Sequence, residues 1–164
     1  MKTRRLVQGA AVAAVYTLLT VFLAPISSGL IQCRVAEALC VLPYFSFSAV
    51  PGLFVGCLIS NLISGAPFYD VLFGSLATLL AALCTYWMRG RCSKYLAPLP
   101  GVVINALVVG ALLVLVYAMP APYWTAAGYV ALGQALACFG VGLPLMAVLE
   151  RFAVRLFPDE TPRC

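Results

Sequence analysis

The chain has 164 residues, of which 64% are hydrophobic and 9% are charged, and its formal net charge is +5. Soluble domains carry about 25% charged and roughly 45–50% apolar residues, so this composition excludes a water-soluble enzyme and indicates an integral membrane protein. The sequence contains no histidine, which removes the commonest general base and the commonest neutral metal ligand.

Six apolar segments follow one another along the chain, separated by turns that are rich in proline and glycine. The first segment follows the basic residues Lys2, Arg4 and Arg5, and it ends before Pro25 and Gly29. We expect an uncleaved helix there, because the end of the apolar run is a poor signal-peptide cleavage site. At about 20 residues per span, the chain forms one bundle, a single membrane domain over residues 1–164. The segments are predicted at residues 6–24, 34–46, 48–64, 69–88, 98–118 and 123–154.

The basic residues decide between five and six spans, because the second segment is short and contains Pro43. With the N-terminus in the cytoplasm and six spans, nine of the ten Lys and Arg residues lie on the cytoplasmic side, as the positive-inside rule requires. Five spans would place the two basic ends on opposite sides. We therefore predict six transmembrane helices with both termini in the cytoplasm, and the positive charge does not indicate a nucleic-acid partner.

Three charged residues are not explained by this orientation. Arg34 and Glu37 begin the second segment, and Asp70 begins the fourth, all on the predicted extracellular side. An ionisable group at membrane depth is costly and usually belongs to a functional site. The structural alternative is an Arg34–Glu37 ion pair, with Asp70 as a charge at a helix N-terminus.

Amide and aromatic side chains extend this pattern. Asn61, Asn105 and Gln134 carry donors and acceptors that lipid cannot satisfy, so we expect them to face the bundle interior, either as ligand contacts or as bonds between helices. Trp124 and Tyr129 lie near the start of the last segment. They form either an interfacial aromatic belt or a surface for stacking a flat ligand.

Small residues on the first segment allow another helix to approach closely. The pairs Gly9/Ala13 and Ala10/Ala14 have the small-xxx-small spacing, which serves either packing within the bundle or contact with a second subunit. Seven cysteines include no Cys-x-x-Cys pair, and we interpret them as small apolar filler. No nucleotide-binding, nucleophile or metal motif is present, so we expect neither an enzyme nor a cofactor.

Four stretches, at residues 32–39, 51–56, 70–78 and 100–110, are more specific than hydropathy. They include Arg-x-x-Glu-Ala at residues 34–38 and Asp-x-x-x-Gly-Ser-x-Ala-Thr at residues 70–78. Together they resemble the QueT family of bacterial transporters for queuosine precursors, in the same order over nearly the whole chain. The sequence departs from that family at Gly133-Gln134, where the family often has Gly-Glu. This leaves 7-cyano-7-deazaguanine, its aminomethyl counterpart and queuine as candidate ligands.

The resemblance implies the substrate-binding subunit, or S component, of an energy-coupling factor transporter in the bacterial cell membrane. In such transporters, the ligand pocket of a six-helix bundle lies near the extracellular side. A transmembrane coupling subunit joins the bundle to two cytoplasmic ATPases. The resemblance also implies that the small residues of the first helix dock to the coupling subunit, with Ala10 and Ala14 in the main strip beside Gly9 and Ala13.

The ligand class implied by the resemblance fits the polar residues. A 7-deazaguanine offers N–H donors beside a carbonyl acceptor, and one precursor adds an aminomethyl cation. We expect Glu37 to be the principal anchor among the predicted site residues, which are Glu37, Asp70, Asn61, Gln134, Arg34, Asn105, Trp124 and Tyr129. Two alternatives are an S component for a vitamin such as biotin or riboflavin, and a structural or assembly protein without a ligand.

Overall fold

The computed structural model describes residues 2–23 and 34–156, and every regular element in those ranges is helical. The predicted turn at Pro25 and Gly29 and the predicted cytoplasmic Arg163 lie outside the described residues. The described ranges confirm the prediction of an all-α protein.

Each predicted segment contains a helix, and most boundaries agree within a few residues. Helix α6 is continuous through a π-helical stretch, and a π-helical turn at Asp70–Gly74 leads directly into α4. The helices are α1 (Lys2–Phe22), α2 (Val35–Tyr44), α3 (Ala49–Ile63), α4 (Ser75–Met88), α5 (Leu99–Leu115) and α6 (Tyr123–Ala135, Leu136–Val141 and Gly142–Leu156).

Within residues 2–23 and 34–156, four helical stretches are long and apolar enough to cross a membrane. Helices α2 and α3, with 10 and 15 residues, are shorter. The four long stretches are Thr3–Phe22, Asp70–Met88, Lys94–Leu115 and Tyr123–Phe152.

Helix α2 is a 3₁₀ helix over its whole length and is buried within the bundle. A 3₁₀ helix rises about 2.0 Å per residue, against 1.5 Å for an α-helix, so ten residues reach about 20 Å. Pro43, which has no backbone N–H, lies inside this helix. Such irregular backbone is tolerated at membrane depth where protein surrounds it. Three residues per turn place Glu37 and Cys40 on the same face of α2.

Helices α1 and α3 pack closely through glycines. A Cβ on Gly52 would lie 2.6 Å from the backbone oxygen of Gly9, and a Cβ on Gly56 would lie 3.0 Å from the backbone oxygen of Ala13. Gly9 and Ala13 are buried in this contact, whereas Ala10 and Ala14 are exposed. One small-residue pair of α1 is therefore used inside the bundle, and the other faces outward.

The basic residues gather at one end of the bundle, which we call the basic end. Lys94 Nζ forms an ion pair with Glu150 of α6 at 2.9 Å, and Phe45 packs with Ala97 and Met146 beside it. The Ser48 hydroxyl donates to the Gln8 side chain at 3.3 Å, which brings the start of α1 to the same end. The basic end thus contains Arg4, Arg5, Arg89, Arg91, Lys94 and Arg151.

Candidate functional site

A polar centre occupies the bundle interior, beside the three segments that depart from α-helical geometry. These segments are α2, the turn at Asp70–Gly74 and the stretch at Leu136–Val141. Single π-helical turns inside helices are frequent at functional sites, because they change the direction of neighbouring side chains. The buried polar side chains of the centre are Glu37, Asn61, Thr78, Asn105 and Gln134.

Three side chains of the polar centre donate hydrogen bonds to Glu37, which is 1% exposed. The Tyr16 hydroxyl donates to Oε1 at 2.5 Å, while the Cys40 thiol and the Asn105 amide donate to Oε2 at 3.0 and 3.3 Å. The Cys138 thiol donates to the Glu37 backbone carbonyl at 3.4 Å. Side chains of α1, α2 and α5 thus converge on one carboxylate, and we call Tyr16, Glu37, Cys40 and Asn105 the Glu37 cluster.

The Glu37 cluster contains neutral donors and no basic side chain. Within the described residues, no ion pair joins Glu37 to Arg34, so the structural alternative of an Arg34–Glu37 ion pair is wrong. The Arg34 Nη2 instead donates to Asn61 Oδ1 of α3 at 3.0 Å. The three-residue spacing places the two side chains on neighbouring turns, but the guanidinium extends toward α3 and the carboxylate toward α1 and α5.

A second group lies between Arg34 and the start of α4, and we call Arg34, Asn61, Asp70 and Tyr117 the Asp70 cluster. Asn61 Nδ2 donates to the Asp70 backbone carbonyl at 3.4 Å. The Tyr117 hydroxyl, beyond the end of α5, donates to Asp70 Oδ2 at 3.1 Å. Burial and the nearby Asp70 carboxylate raise the pKa of Tyr117 to about 12. These contacts tie the second, third, fourth and fifth helical segments together at the end opposite the basic end.

Two buried amides have hydrogen-bonding atoms without a partner among the described residues. Gln134 Oε1 accepts the Cys138 thiol at 3.6 Å. Among the described residues, no hydrogen bond reaches Gln134 Nε2 or Asn105 Oδ1. Because buried polar atoms in proteins are usually paired, these two positions suit a ligand that brings an acceptor and a donor.

The two aromatic side chains predicted to stack on a ligand lie on the outside of α6. Trp124 is 75% exposed and packs edge to face with Tyr123, with ring centroids 4.9 Å apart. Tyr129 is 37% exposed. The structure therefore does not bring these rings to the polar centre, and their exposure fits the alternative of an interfacial belt.

Sequence reasoning missed several residues of the centre, including Tyr16 and Tyr117. It was also wrong to treat all the cysteines as apolar filler. Cys40 contacts the Glu37 carboxylate, and the Cys57 sulfur accepts from Asn61 and Thr78 at 3.6 and 3.5 Å. The 3₁₀ geometry explains Cys40, since residues three apart are eclipsed. The three-residue spacing of Glu37 and Cys40 is the sequence signal that could have predicted this contact.

An apolar groove of about 610 Å³ runs between α1 and the start of α3 at the basic end. The exposed Ala10 lines it, together with Gly9 and Ala13 at its floor. The other lining side chains come from both helices and the turn before α3, and are Arg5, Leu6, Phe47, Ser48, Pro51 and Val55.

Comparison with known proteins places this architecture in a family. The model of the QueT transporter family matches residues 6–151. The queuosine precursor transporter QueT of Lactococcus lactis subsp. cremoris (strain MG1363) is 41% identical over 81 residues, which cover 48% of this chain and 47% of that protein. The matched region therefore spans about half the length of that relative. No solved structure matches the chain.

Proposed function

The chain belongs to the QueT transporter family, and we propose that it is the S component of an ATP-driven energy-coupling factor importer for a queuosine precursor. The family is one of transporters, in agreement with the expectation that the chain is not an enzyme. The relative named for queuosine precursor transport supports the ligand class, a 7-deazaguanine.

One observation carries the proposal: polar side chains from several helices converge inside a bundle whose exterior is apolar. The Glu37 cluster unites three helices, and Arg34 connects the next turn of α2 to Asn61 of α3. A protein that serves only as a membrane scaffold has no need for such a centre, since polar groups in the bilayer interior are costly. A bound polar heterocycle explains why they are kept.

The two amide atoms that have no partner within the described part of the chain complement the edge of a guanine-like ring. Such a ring presents a carbonyl acceptor beside ring N–H and exocyclic amine donors. Gln134 Nε2 is a donor for the carbonyl, and Asn105 Oδ1 is an acceptor for a ring donor. The Glu37 carboxylate, which accepts from Asn105, is a stronger acceptor that remains available for a substituent outside this edge.

We propose that the bundle crosses the bacterial cell membrane six times, with the basic end in the cytoplasm. Helix α2 reaches further than its ten residues suggest because it is a 3₁₀ helix. The ion pair between Lys94 and Glu150 supports this topology, since it holds the loop after α4 and the end of α6 on the same side. The positive-inside rule then assigns that side to the cytoplasm.

The coupling subunit that joins this chain to two cytoplasmic ATPases is proposed to dock on the exposed strip of α1. Ala10 and Ala14 are exposed, and Ala10 borders the groove at the basic end. Small side chains let a partner helix approach closely. The same helix carries Tyr16, which bonds Glu37, so α1 connects the docking strip with the ligand centre.

Ligand-dependent stabilisation of the detergent-purified protein tests this function. At a ligand concentration of about 100 times Kd, binding stabilises a protein by about 2.7 kcal/mol, which raises its unfolding temperature. We expect 7-deazaguanines to stabilise the chain, and guanine, biotin and riboflavin to leave it unchanged. Stabilisation by a vitamin alone would indicate a different S component, and no stabilisation by any of these compounds would favour a structural membrane protein.

A further inference from the structure

The Glu37 cluster and the Asp70 cluster together hold two carboxylates and one guanidinium. Glu37 and Asp70 are balanced by Arg34 alone, because the other Lys and Arg residues of the sequence fall at residues 2–5, 89–94 and 151–163. Those of them that the structure describes flank the basic end. Residues 24–33 contain no charged side chain in the sequence, so the segment that precedes Arg34 supplies no further cation.

One of the two carboxylates therefore has no countercharge of its own among the described residues, and Glu37 is the more deeply buried of the two. The Arg34 guanidinium bonds Asn61, which in turn bonds the backbone of the partly exposed Asp70. Arg34 therefore belongs to the Asp70 cluster. Glu37 is 1% exposed, and its contacts among the described residues are neutral donors. An ionised carboxylate without a countercharge costs several kcal/mol in such an environment.

We propose that the centre selects queuosine precursors whose 7-substituent carries a positive charge, and that Glu37 reads this charge. The inference rests on the proposed function and adds the chemical class of the ligand. An aminomethyl ammonium supplies both the missing countercharge and N–H donors for a charge-assisted hydrogen bond to the carboxylate. A nitrile presents only an acceptor to a carboxylate that is itself an acceptor, so the 7-cyano compound is mismatched.

The test compares the affinity of the purified protein for three ligands: 7-aminomethyl-7-deazaguanine, its neutral 7-hydroxymethyl analogue of similar size, and 7-cyano-7-deazaguanine. Isothermal titration calorimetry gives each Kd. We expect the aminomethyl compound to bind at least about tenfold more tightly than either neutral compound, since only its ammonium adds a countercharge to the hydrogen bond with Glu37.

Two carboxylate variants locate the source of the preference. Glu37→Gln retains shape and removes the charge, so the aminomethyl compound should lose about tenfold or more in affinity while the neutral compounds keep theirs. Retained binding of the neutral compounds also shows that the variant is folded. The matched variant Asp70→Asn removes the partly exposed carboxylate that accepts from Tyr117, and should preserve the preference.

The outcomes separate this inference from the function on which it rests. Equal affinity of the wild-type protein for the charged and neutral compounds would overturn the charge selection and leave the transport of deazaguanines standing. Loss of the preference in Asp70→Asn rather than in Glu37→Gln would overturn the role of Glu37. If no deazaguanine binds the wild-type protein, the proposed function fails as well.

Discussion

The hydroxyl of Tyr16 holds the buried Glu37 carboxylate against helix α1. Both side chains are buried, and the oxygens lie 2.5 Å apart. Removal of this donor in Tyr16→Phe leaves a carboxylate oxygen without a partner, which costs about 1–3 kcal/mol in a buried site. We expect the variant to lower the free energy of unfolding by that amount, as measured by unfolding in mixed detergent micelles.

The matched control is Tyr129→Phe, which removes a hydroxyl from the exposed side of α6. An exposed hydroxyl makes little net contribution, so its change in unfolding free energy should stay within about 0.5 kcal/mol. Equal effects of the two substitutions would show that the Tyr16 hydroxyl is not important for stabilising Glu37.

At the level of single residues, part of the polar centre could be predicted from the sequence because charged and amide side chains are rare in an apolar helix. Glu37, Asn61, Asn105 and Gln134 were each identifiable from charge or amide chemistry, and all are buried. Tyr16 was not, because a tyrosine in a membrane helix is commonly an ordinary apolar contact. Its role depends on the rotation of α1 relative to α2, which is set by packing between distant parts of the chain.

At the scale of the elements, hydropathy and the positions of proline and glycine were sufficient to locate the helices. The predicted second segment at residues 34–46 contains α2 at Val35–Tyr44, for example. The 3₁₀ and π-helical geometries were not predictable, because their local hydrogen-bond patterns depend on neighbours in space. Leu136–Val141 packs against α2 in this way, and its Cys138 bonds the backbone of Glu37.

The contact between α1 and α3 leads to a prediction about Gly52. A Cβ at this position would lie 2.6 Å from the backbone oxygen of Gly9. Since backbone atoms cannot move away without shifting the whole helix, Gly52→Ala should lower the free energy of unfolding by about 1–3 kcal/mol. Thermal unfolding of the purified variant measures this loss.

Gly128 provides the control for the same substitution. It lies within α6, and a Cβ there would meet no atom within 4 Å. Gly128→Ala should therefore be neutral or stabilising by about 0.5–1 kcal/mol, since alanine favours a helix over glycine. A Gly52→Ala protein as stable as the Gly128→Ala protein would contradict the close packing of α1 on α3.

For the whole molecule, the proposed topology can be tested with a native cysteine. Cys92 is exposed in the loop after α4, whereas Cys40, Cys57 and Cys138 are buried. With Cys33 and Cys164 replaced by serine, a membrane-impermeant maleimide should leave Cys92 unlabelled in intact cells and label it in inside-out vesicles.

A cysteine introduced at the opposite end serves as the comparison. Ser64 is exposed just after α3, at the end opposite the basic end. In a protein that also lacks Cys92, Ser64→Cys should be labelled in intact cells. Labelling of both positions from the same side would exclude the proposed crossing of the membrane by the Asp70–Met88 stretch.

The outward strip of α1 allows a test of docking that leaves the bundle intact. Ala10 and Ala14 are exposed, so Ala10→Leu together with Ala14→Leu adds bulk without filling the core. A surface that requires close helix approach should no longer accept the partner. We expect the double variant to bind a 7-deazaguanine as the wild type does. Its affinity for the coupling subunit should fall by more than one order of magnitude, and cellular uptake should then fall by at least about 90%.

Ala147→Leu makes the same change on the exposed side of α6, near the basic end, and should preserve uptake. The comparison matters because ligand binding affects docking only if the partner distinguishes the two states of the bundle. Helix α1 is suited to report that difference, since it carries both the strip and Tyr16. Full uptake by the Ala10→Leu, Ala14→Leu protein would move the docking surface to another helix.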